Sequence, residues 1–430
     1  MQAKADAGVG RLTRNQWRGF WASWGGWTLD GMDSFIYALV MVPALRDLLP
    51  RSGLEATAAN QGFYGSLLFA LFLVGWGLAF LWGPVADKFG RVRTLMLTIL
   101  CYSAFTFAGA FAGGIWQLAL FRFLAGIGIG GEWAMGGTFV AEEWPEERRV
   151  WGASLMHTGY YLGVLLAALA NYTVGSRWGW RAMFALGGTP ALLVAFIRHG
   201  VREPQRWQSQ VEKISALTLR RPLAMLFSPR LRRRTVLNCI YVLVSIVGLW
   251  AGSVYLPAWI THLAAASGAT AAEAARSASL ATLLLSVATI LGCLLVPPLA
   301  ERLGRRATLA FFFALMMAAI AVVFGWVQVR GLSTPWLLVW LFLLGIGGAS
   351  FAVYTLWLPE QYPTECRASA FALATSVGRF AGAGITFLVG VGVAHYGNIG
   401  VPVAMTSAAF AVGLALVPFG EETRGKTLPT

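Results

Sequence analysis

The sequence predicts an all-α membrane protein whose twelve transmembrane helices form two pseudo-symmetric six-helix halves. Composition is the first observation: 57% of the 430 residues are hydrophobic and only 12% are charged, whereas an ordinary soluble protein is about one-quarter charged. The second observation is that the apolar residues fall into long runs. The third is that a charged segment between two such runs recurs 214 residues later, and internal repeats indicate repeated architecture.

The apolar runs are long enough to cross a bilayer as helices. A helix that crosses the roughly 30 Å hydrocarbon core needs about 20 apolar residues. Strands of a membrane barrel would alternate apolar and polar side chains over about ten positions, and these runs do not alternate. The predicted spans are residues 19–43, 62–83, 94–114, 117–141, 150–173, 179–199, 236–262, 278–299, 308–328, 335–358, 369–394 and 399–419.

Two segments occur once in each predicted half. GPVADKFGRVRT (83–94) joins spans 2 and 3, and PLAERLGRRAT (298–308) joins spans 8 and 9. A second pair follows spans 4 and 10, where Pro145 and Pro363 align with a shift of 218 residues. Two parallel six-helix repeats are a known transporter plan, with the substrate site between the halves near the middle of the membrane.

A segment rich in Arg and Pro separates the sixth apolar run from the seventh. We interpret it as a cytoplasmic linker whose basic residues either contact anionic lipid headgroups or are simply solvated. The predicted organisation is an N-terminal half over 1–199, a basic linker over 200–235 and a C-terminal half over 236–430.

The basic residues predict the orientation of the helices. With the N-terminus inside, the inside segments hold 25 Lys and Arg residues and the outside segments hold six. Positive residues concentrate on the cytoplasmic side of membrane proteins, so we expect both termini in the cytoplasm of a multi-pass plasma-membrane protein, the inner membrane in a bacterium. The net charge of +14 is then a consequence of topology and does not indicate nucleic-acid binding.

The repeated segments resemble the signature of the major facilitator superfamily, which carries a G-x-x-x-D-x-x-G-R-[KR] motif between helices 2 and 3 and a weaker copy between helices 8 and 9. RFLAGIGIGGEW in span 4 resembles the R-x-x-x-G-x-G motif of the same superfamily. The C-terminal EETRGKTL resembles endings of metabolite:proton symporters and sugar porters. The resemblance implies the superfamily fold and a gating role for the motif residues, which are Gly83, Asp87, Gly90, Arg91, Arg122, Glu301 and Arg305.

The signature loop also suggests how gating would work. Asp87 follows span 2, and its carboxylate could cap the N-terminus of a neighbouring helix while the arginines brace it. Such a latch would close the cytoplasmic side when the transporter faces outward. Breaking it would favour the inward-facing state without altering substrate choice.

Three further segments resemble a narrower group within the superfamily. WTLDGMDSF, GEWAMGGTFVAEEWP and WGWRAMF resemble the sialate:proton symporters, a group that includes lactate and pyruvate transporters. The aromatic acid:proton symporters share the D-G-x-D element and are near neighbours.

Carboxylates within the first half are candidate proton-coupling residues. Asp30 and Asp33 lie three residues apart in span 1 and so share a helix face. An ionised carboxylate in hydrocarbon costs roughly 2.5–3.5 kcal/mol, so such groups face a cavity or a partner, and neighbouring carboxylates titrate as a pair. Both suit a proton carrier; helix packing is the alternative. Glu132 in span 4 either handles a proton or substrate or forms a buried ion pair, with Arg122 as a candidate partner on the same helix.

Other polar residues within the spans are candidates for substrate binding. His157 could exchange a proton near neutral pH, with Tyr161 one turn away; a helix–helix hydrogen bond is the alternative. Arg379 is the only cation well inside the second half's spans and needs an anionic partner. A substrate carboxylate bound in bidentate fashion would supply one; a bond to helix carbonyls is the alternative. Aromatic residues that could line the pathway are Trp250, Tyr255, Tyr354 and Trp357.

Together these features predict a secondary transporter that carries a small organic anion, a monocarboxylate such as lactate or pyruvate or a sugar acid, together with protons by alternating access. An aromatic acid symporter, a sugar porter and a non-transporting receptor are the alternatives. No HExxH, GxSxG or Walker motif is present, so we expect no enzyme. We also expect no cofactor or metal, with the proton as coupling ion, and a monomer in the lipid bilayer.

Overall fold

The computed structural model describes residues 12–210, residues 218–326 except 255, 257, 258, 261, 262, 265 and 266, and residues 334–429. Within these residues the chain is helical and contains no strand. The helices are α1 (Arg14–Arg51), α2 (Ala58–Gly77, extended by Leu78–Leu81 and Trp82–Phe89), α3 (Arg91–Gly109), α4 (Ile115–Glu143), α5 (Glu146–Ala170, extended by Asn171–Gly175), α6 (Ser176–Leu186 and Ala191–Gly200), α7 (Arg232–Val254), α8 (Ala271–Leu303), α9 (Arg305–Ile320, extended by Ala321–Trp326), α10 (Thr334–Gly348 and Ser350–Trp357), α11 (Arg367–Tyr396) and α12 (Gly400–Met405 and Ala408–Leu416).

Each of the twelve predicted spans overlaps one of these helices, which confirms the all-α prediction. Within the described residues, eight helices are long and apolar enough to cross a membrane by length and composition. The connection between α5 and α6 differs from a simple loop, because helix continues past Ala170 as a π-helical turn and the chain bends at Gly179. Gly179 has a φ of 76°, which a glycine adopts without steric cost.

Threonine side chains fix the starts of several helices. Thr13 accepts a hydrogen bond from the backbone N–H of Gln16 at 3.2 Å, and the Gln16 side chain accepts one from the Thr13 backbone. Thr270 and Glu273 form the same reciprocal pair at the start of α8. These capping boxes satisfy N–H groups that have no partner within the helix.

The two signature loops have the same backbone geometry. Gly90 and Gly304 end α2 and α8 with φ of 113° and 89°, values that favour glycine. After each glycine, a distant carboxylate caps the next helix. Glu203 accepts hydrogen bonds from the backbone N–H groups of Val92 at 3.1 Å and Arg93 at 3.0 Å.

Glu422 occupies the equivalent place in the second half. It accepts from the backbone N–H groups of Arg305 at 3.0 Å and Arg306 at 3.2 Å. Burial raises the pKa of Glu203 despite its backbone donors. Burial opposes ionisation of Glu422 too, but the backbone donors there outweigh it and lower its pKa. The linker and the C-terminal segment therefore each hold one signature loop in place.

The halves pack against each other through helices α2 and α11 and through α5 and α8. A Cβ on Gly83 would lie 2.5 Å from the Cα of Ser369 in α11, so glycine allows this close approach. Ser154 in α5 donates a hydrogen bond to the carbonyl of Cys293 in α8. Cys293 and Cys366 are buried and all four cysteines are free thiols, as the absence of CxxC spacing suggests.

The loop geometry makes the two glycines the least tolerant positions of the signature segments. In Gly90→Ala or Gly304→Ala, a methyl group would be forced into a glycine-favoured backbone region and against the capping carboxylate. We expect a loss of about 1–3 kcal/mol of stability, measured as a lower midpoint of thermal unfolding in detergent. Gly62→Ala is the matched control, because nothing lies within 4 Å of a Cβ there; an equal loss in all three variants would contradict the explanation.

Candidate functional site

The termini, the linker and both signature loops meet on one side of the bundle, which we call the terminal side. Asn15 near the start of α1 bonds to Glu143 at the end of α4, and the backbone of Arg202 in the linker donates to Asn15 at 2.8 Å. The backbone N–H of Leu428 in the C-terminal segment donates to Glu146 at the start of α5 at 3.4 Å.

A buried ion-pair network joins the two halves on the terminal side. Glu142 accepts two hydrogen bonds of 2.9 Å from Arg91, which belongs to its own half. It also accepts one of 2.6 Å from Arg367, at the start of α11 in the other half. The side chains of all three residues are fully buried.

The same arrangement is repeated with the halves exchanged. Glu360 accepts two hydrogen bonds of 2.9 Å from Arg305 in its own half. Arg149, at the start of α5 in the first half, donates to Glu360 at 3.3 Å. We call these two triads, together with Asp87, the closing network.

Asp87 completes the network as the sequence predicts, because it caps the N-terminus of α11. Its carboxylate accepts bonds from the backbone N–H groups of Ala368 at 3.1 Å and Ser369 at 2.9 Å, and from the Ser369 hydroxyl at 2.5 Å. Arg91 lies 3.3 Å from the same carboxylate. Glu301, its counterpart in the repeat, is exposed and lies outside the closing network, so the predicted gating role of Glu301 finds no counterpart in this geometry.

The sequence analysis missed both glutamates at the centres of the triads. The signal was available, because the shift of 218 residues that aligns Arg149 with Arg367 also aligns Glu142 with Glu360. What it could not supply is the exchange between halves: each glutamate is held by the arginine that follows the other one.

A second group of charges lies within the core of the bundle. Arg122 approaches Asp33 at 3.6 Å, and its guanidinium carbon lies 4.1 Å from the ring centroid of Phe72 and 5.2 Å from that of Tyr37. The expected pairing of Arg122 with Glu132 is wrong, because ten residues of one helix separate them by about 15 Å. The expected gating position is also wrong: Arg122 is about 30 Å along α4 from Glu142.

Asp30 and Glu132 are completely buried on facing helices. Asp30 accepts a hydrogen bond from Ser34 at 3.3 Å and interacts electrostatically with both Glu132 and Arg379. Glu132 packs into a notch above Gly26, where a Cβ would collide with its carboxylate. Within the described residues, neither oxygen of Glu132 has a hydrogen-bond partner.

Aromatic rings surround this group on the side of the second half. The rings of Trp27 and Trp133 stack with centroids 5.6 Å apart. His157 lies against both tryptophans and parallel to Phe351 of α10, with the His157 and Phe351 centroids 6.2 Å apart and an interplanar angle of 4°. Tyr161 touches His157 edge-on at 6.2 Å, as the one-turn spacing predicts.

Arg379 brings a cation from the second half to this aromatic group. Its guanidinium carbon lies 4.0 Å from the ring centroid of Trp76 in α2 and 5.7 Å from that of Trp133 in α4. One of its nitrogens donates to the Thr375 carbonyl at 2.9 Å, the helix-carbonyl bond considered above, while Nε is buried without a hydrogen-bond partner in the described structure.

The remaining candidate aromatics are less suited to substrate. Tyr354 bonds to Ser245 at 2.8 Å and donates to the Tyr241 carbonyl at 2.7 Å, so its hydroxyl is already engaged. Trp357 stacks on Tyr241. Tyr255 and the side chain of Trp250 lie outside the described residues.

The family follows from a direct comparison. The model of the Major Facilitator Superfamily matches residues 24–386. The chain belongs to this superfamily. Its members are secondary transporters and not enzymes, and the chain is therefore a multi-pass membrane transporter.

Similar proteins support the assignment over the whole chain. The niacin transporter NiaP of Acinetobacter baylyi is 31% identical and covers 94% of this chain and 93% of its own. The sialic acid transporter NanX of Escherichia coli is 29% identical over 47% of this chain and 48% of its own. The structure of the proton:xylose symporter XylE superposes with a TM-score of 0.78 over 96% of this chain and 98% of its own, at 20% identity, which shows the shared fold.

The geometry separates two tasks of a superfamily transporter. The closing network holds the halves together at the terminal side, where its members are engaged with one another. The core group presents a guanidinium, aromatic faces and carboxylates at the interface between halves, which is where transporters of this plan bind substrate.

Asp87 should therefore control opening of the terminal side. In Asp87→Asn the loss of charge-assisted bonds to α11 would destabilise the closed arrangement by about 1.5–3 kcal/mol. We expect longer distances between spin labels at positions 93 and 302, measured by pulsed electron resonance in a cysteine-free background. Glu301→Gln is the matched control in the repeat, since Glu301 is exposed; opening in both variants, or in neither, would refute the role of Asp87.

Proposed function

We propose that this transporter carries a small organic monoanion together with a proton, with Arg379 as the anion-binding residue. The observation that carries the proposal is a buried guanidinium between the halves, stacked on Trp76 and with one nitrogen lacking a partner in the described structure. A buried cation needs a counter-ion, and a carboxylate can satisfy a guanidinium with two parallel bonds. Sugars and cationic substrates lack that charge.

The rings around Arg379 favour a planar aromatic acid over lactate, pyruvate or a sugar acid. Trp27, Trp133, His157 and Phe351 present flat apolar faces within one cluster. Offset or edge-on ring pairs add about 0.5–1.5 kcal/mol to apolar burial, which a three-carbon acid would forgo. A relative across the whole chain is named for niacin, a pyridine carboxylic acid, so nicotinate and benzoate are our first candidate substrates.

Proton coupling would arise at Asp30, because Asp30 and the substrate share Arg379. In the empty site, Arg379 stabilises the ionised Asp30. A bound carboxylate would neutralise Arg379 and leave Asp30 as an uncompensated buried charge, which favours protonation. Linkage is reciprocal, so a proton on Asp30 would in turn strengthen binding of the anion.

Alternating access would then follow from the closing network. With the network intact the terminal side is shut, and its release would open that side as the halves rock. The distribution of 25 basic residues against six supports a cytoplasmic terminal side in the plasma membrane. One chain holds both the anion site and the carboxylates, so we propose that the monomer is the transporting unit and requires no cofactor.

The first test is uptake of radiolabelled nicotinate into proteoliposomes of the purified protein under an inward pH gradient. Benzoate, lactate, pyruvate, sialic acid and glucose serve as competitors. We expect accumulation of nicotinate, abolished by an uncoupler and inhibited by benzoate. Inhibition by lactate or sialic acid alone would transfer the assignment to those acids, and uptake without dependence on the gradient would refute proton symport.

Arg379→Lys tests the anion site, because lysine keeps the charge but loses the planar fork and the stacking on Trp76. Loss of a charge-assisted pair is worth about 1.5–3 kcal/mol, so we expect the KM for nicotinate to rise roughly tenfold to a hundredfold. Arg51→Gln is the control, because Arg51 forms an exposed pair with Asp47, and such pairs contribute about 0–1 kcal/mol. Equal KM values for all three proteins would remove Arg379 from the site.

A further inference from the structure

The charges buried in the core do not balance. Apart from the closing network, the buried charged residues of the described structure are three carboxylates and two guanidiniums, namely Asp30, Asp33, Glu132, Arg122 and Arg379. With every group ionised, the core would carry one excess negative charge. An uncompensated buried charge is costly, and such groups neutralise instead.

The contacts identify the carboxylate that is left over. Asp33 is matched with Arg122 at 3.6 Å. Asp30 interacts with Arg379 and accepts a bond from Ser34. Glu132 has neither, because both of its oxygens lack a hydrogen-bond partner among the described residues.

The groups that face Glu132 from neighbouring helices do not supply a positive charge. Asp30 of α1 adds negative charge. Tyr102 of α3 lies beside Glu132, but its hydroxyl forms no hydrogen bond of normal geometry in the described structure. The other titratable or charged groups of this core are Asp33, Arg122, His157, Tyr160 and Arg379.

On the basis of the proposed function, we infer that Glu132 keeps a resident proton throughout the cycle while Asp30 binds the transported proton, so that one proton accompanies each monoanion and transport is electroneutral. In the empty carrier, Arg379 balances Asp30 and the resident proton neutralises Glu132. When the anion takes Arg379 as its counter-ion, Asp30 must bind one proton for the core to remain neutral. Loaded and empty carriers therefore differ by one anion and one proton, and no net charge crosses.

The alternative is that Asp30 and Glu132 both exchange protons. Two protons would then cross with each monoanion, and the cycle would move one positive charge inward. These stoichiometries differ in their response to membrane potential, which makes them separable without any variant.

The experiment measures accumulation of radiolabelled nicotinate at equilibrium in proteoliposomes, with the potential set by potassium and valinomycin. For one proton per anion, we expect about tenfold accumulation per unit of pH gradient at zero potential. An inside-negative potential of about 60 mV should change accumulation by less than twofold. With two protons, the same potential would add about tenfold.

Matched amide variants test the division of labour. Asp30→Asn should abolish accumulation driven by the pH gradient, while exchange of internal for external nicotinate continues. In Glu132→Gln, the neutral amide replaces a protonated carboxyl of nearly the same shape, so the variant should keep the accumulation ratio within about twofold of the wild type, at whatever rate it turns over. The ratio is a thermodynamic quantity that a merely slowed carrier still reaches.

Three results would overturn the inference. Wild-type accumulation that rises about tenfold with the potential would show a second transported proton. Loss of gradient-driven accumulation in Glu132→Gln with exchange retained would make Glu132 the exchanging group. Wild-type protein that accumulates no acid under a pH gradient would refute the proposed function as well, whereas the first two results would leave it intact. If Glu132→Gln does not fold, the wild-type response to potential still decides the stoichiometry.

Discussion

Charge buried in an apolar helical bundle has to be compensated, and this requirement governs both functional regions of the transporter. On the terminal side, Glu142 and Glu360 are each clamped by two arginines from opposite halves. Removing one partner from such a buried set typically costs 3–5 kcal/mol. The halves can therefore separate there only if water replaces those contacts, which makes the network an all-or-none closure and not a graded one.

The repeat explains why the closure is symmetric in outline and unequal in detail. Arginines, glutamates and glycines of the two signature loops occupy matching places, as do the capping carboxylates Glu203 and Glu422. Asp87 and Glu301 differ, since the former caps α11 and the latter is exposed. The first-half loop consequently carries more of the contact between halves, although both loops descend from one pattern in the sequence.

Much of the fold could be predicted because it depends on local patterns. Apolar runs set the number of helices, and the glycines, charges and repeat spacing located the signature loops. The candidate residues Asp30, Asp33, Glu132, His157 and Arg379 were recognised because polar groups within apolar runs are conspicuous.

Their partners were not predictable, because pairing depends on how distant helices align. Arg367 reaches Glu142 across 225 residues, and no spacing rule connects two helices of different halves. Arg122 shows the limit most clearly: sharing a helix with Glu132 suggested a pair, whereas the actual partner, Asp33, lies on another helix that the sequence could not position. The aromatic contacts of Arg379 with Trp76 and Trp133 were hidden for the same reason among 19 tryptophans.

Two helices connect the closing network to the core group and give a physical basis for their coupling. α4 carries Glu132 and Glu142, and α11 carries Arg367 and Arg379, with ten and twelve residues between the members of each pair. At 1.5 Å per residue these distances are about 15 and 18 Å along rigid helices. A rotation that opens the network at one end of α11 must displace the Arg379 guanidinium relative to Trp76 and Trp133 of the other half. Because Arg379 balances charge in the core, that displacement changes the electrostatic environment of Asp30, so the position of the gate and the protonation of the site are linked through the same helix.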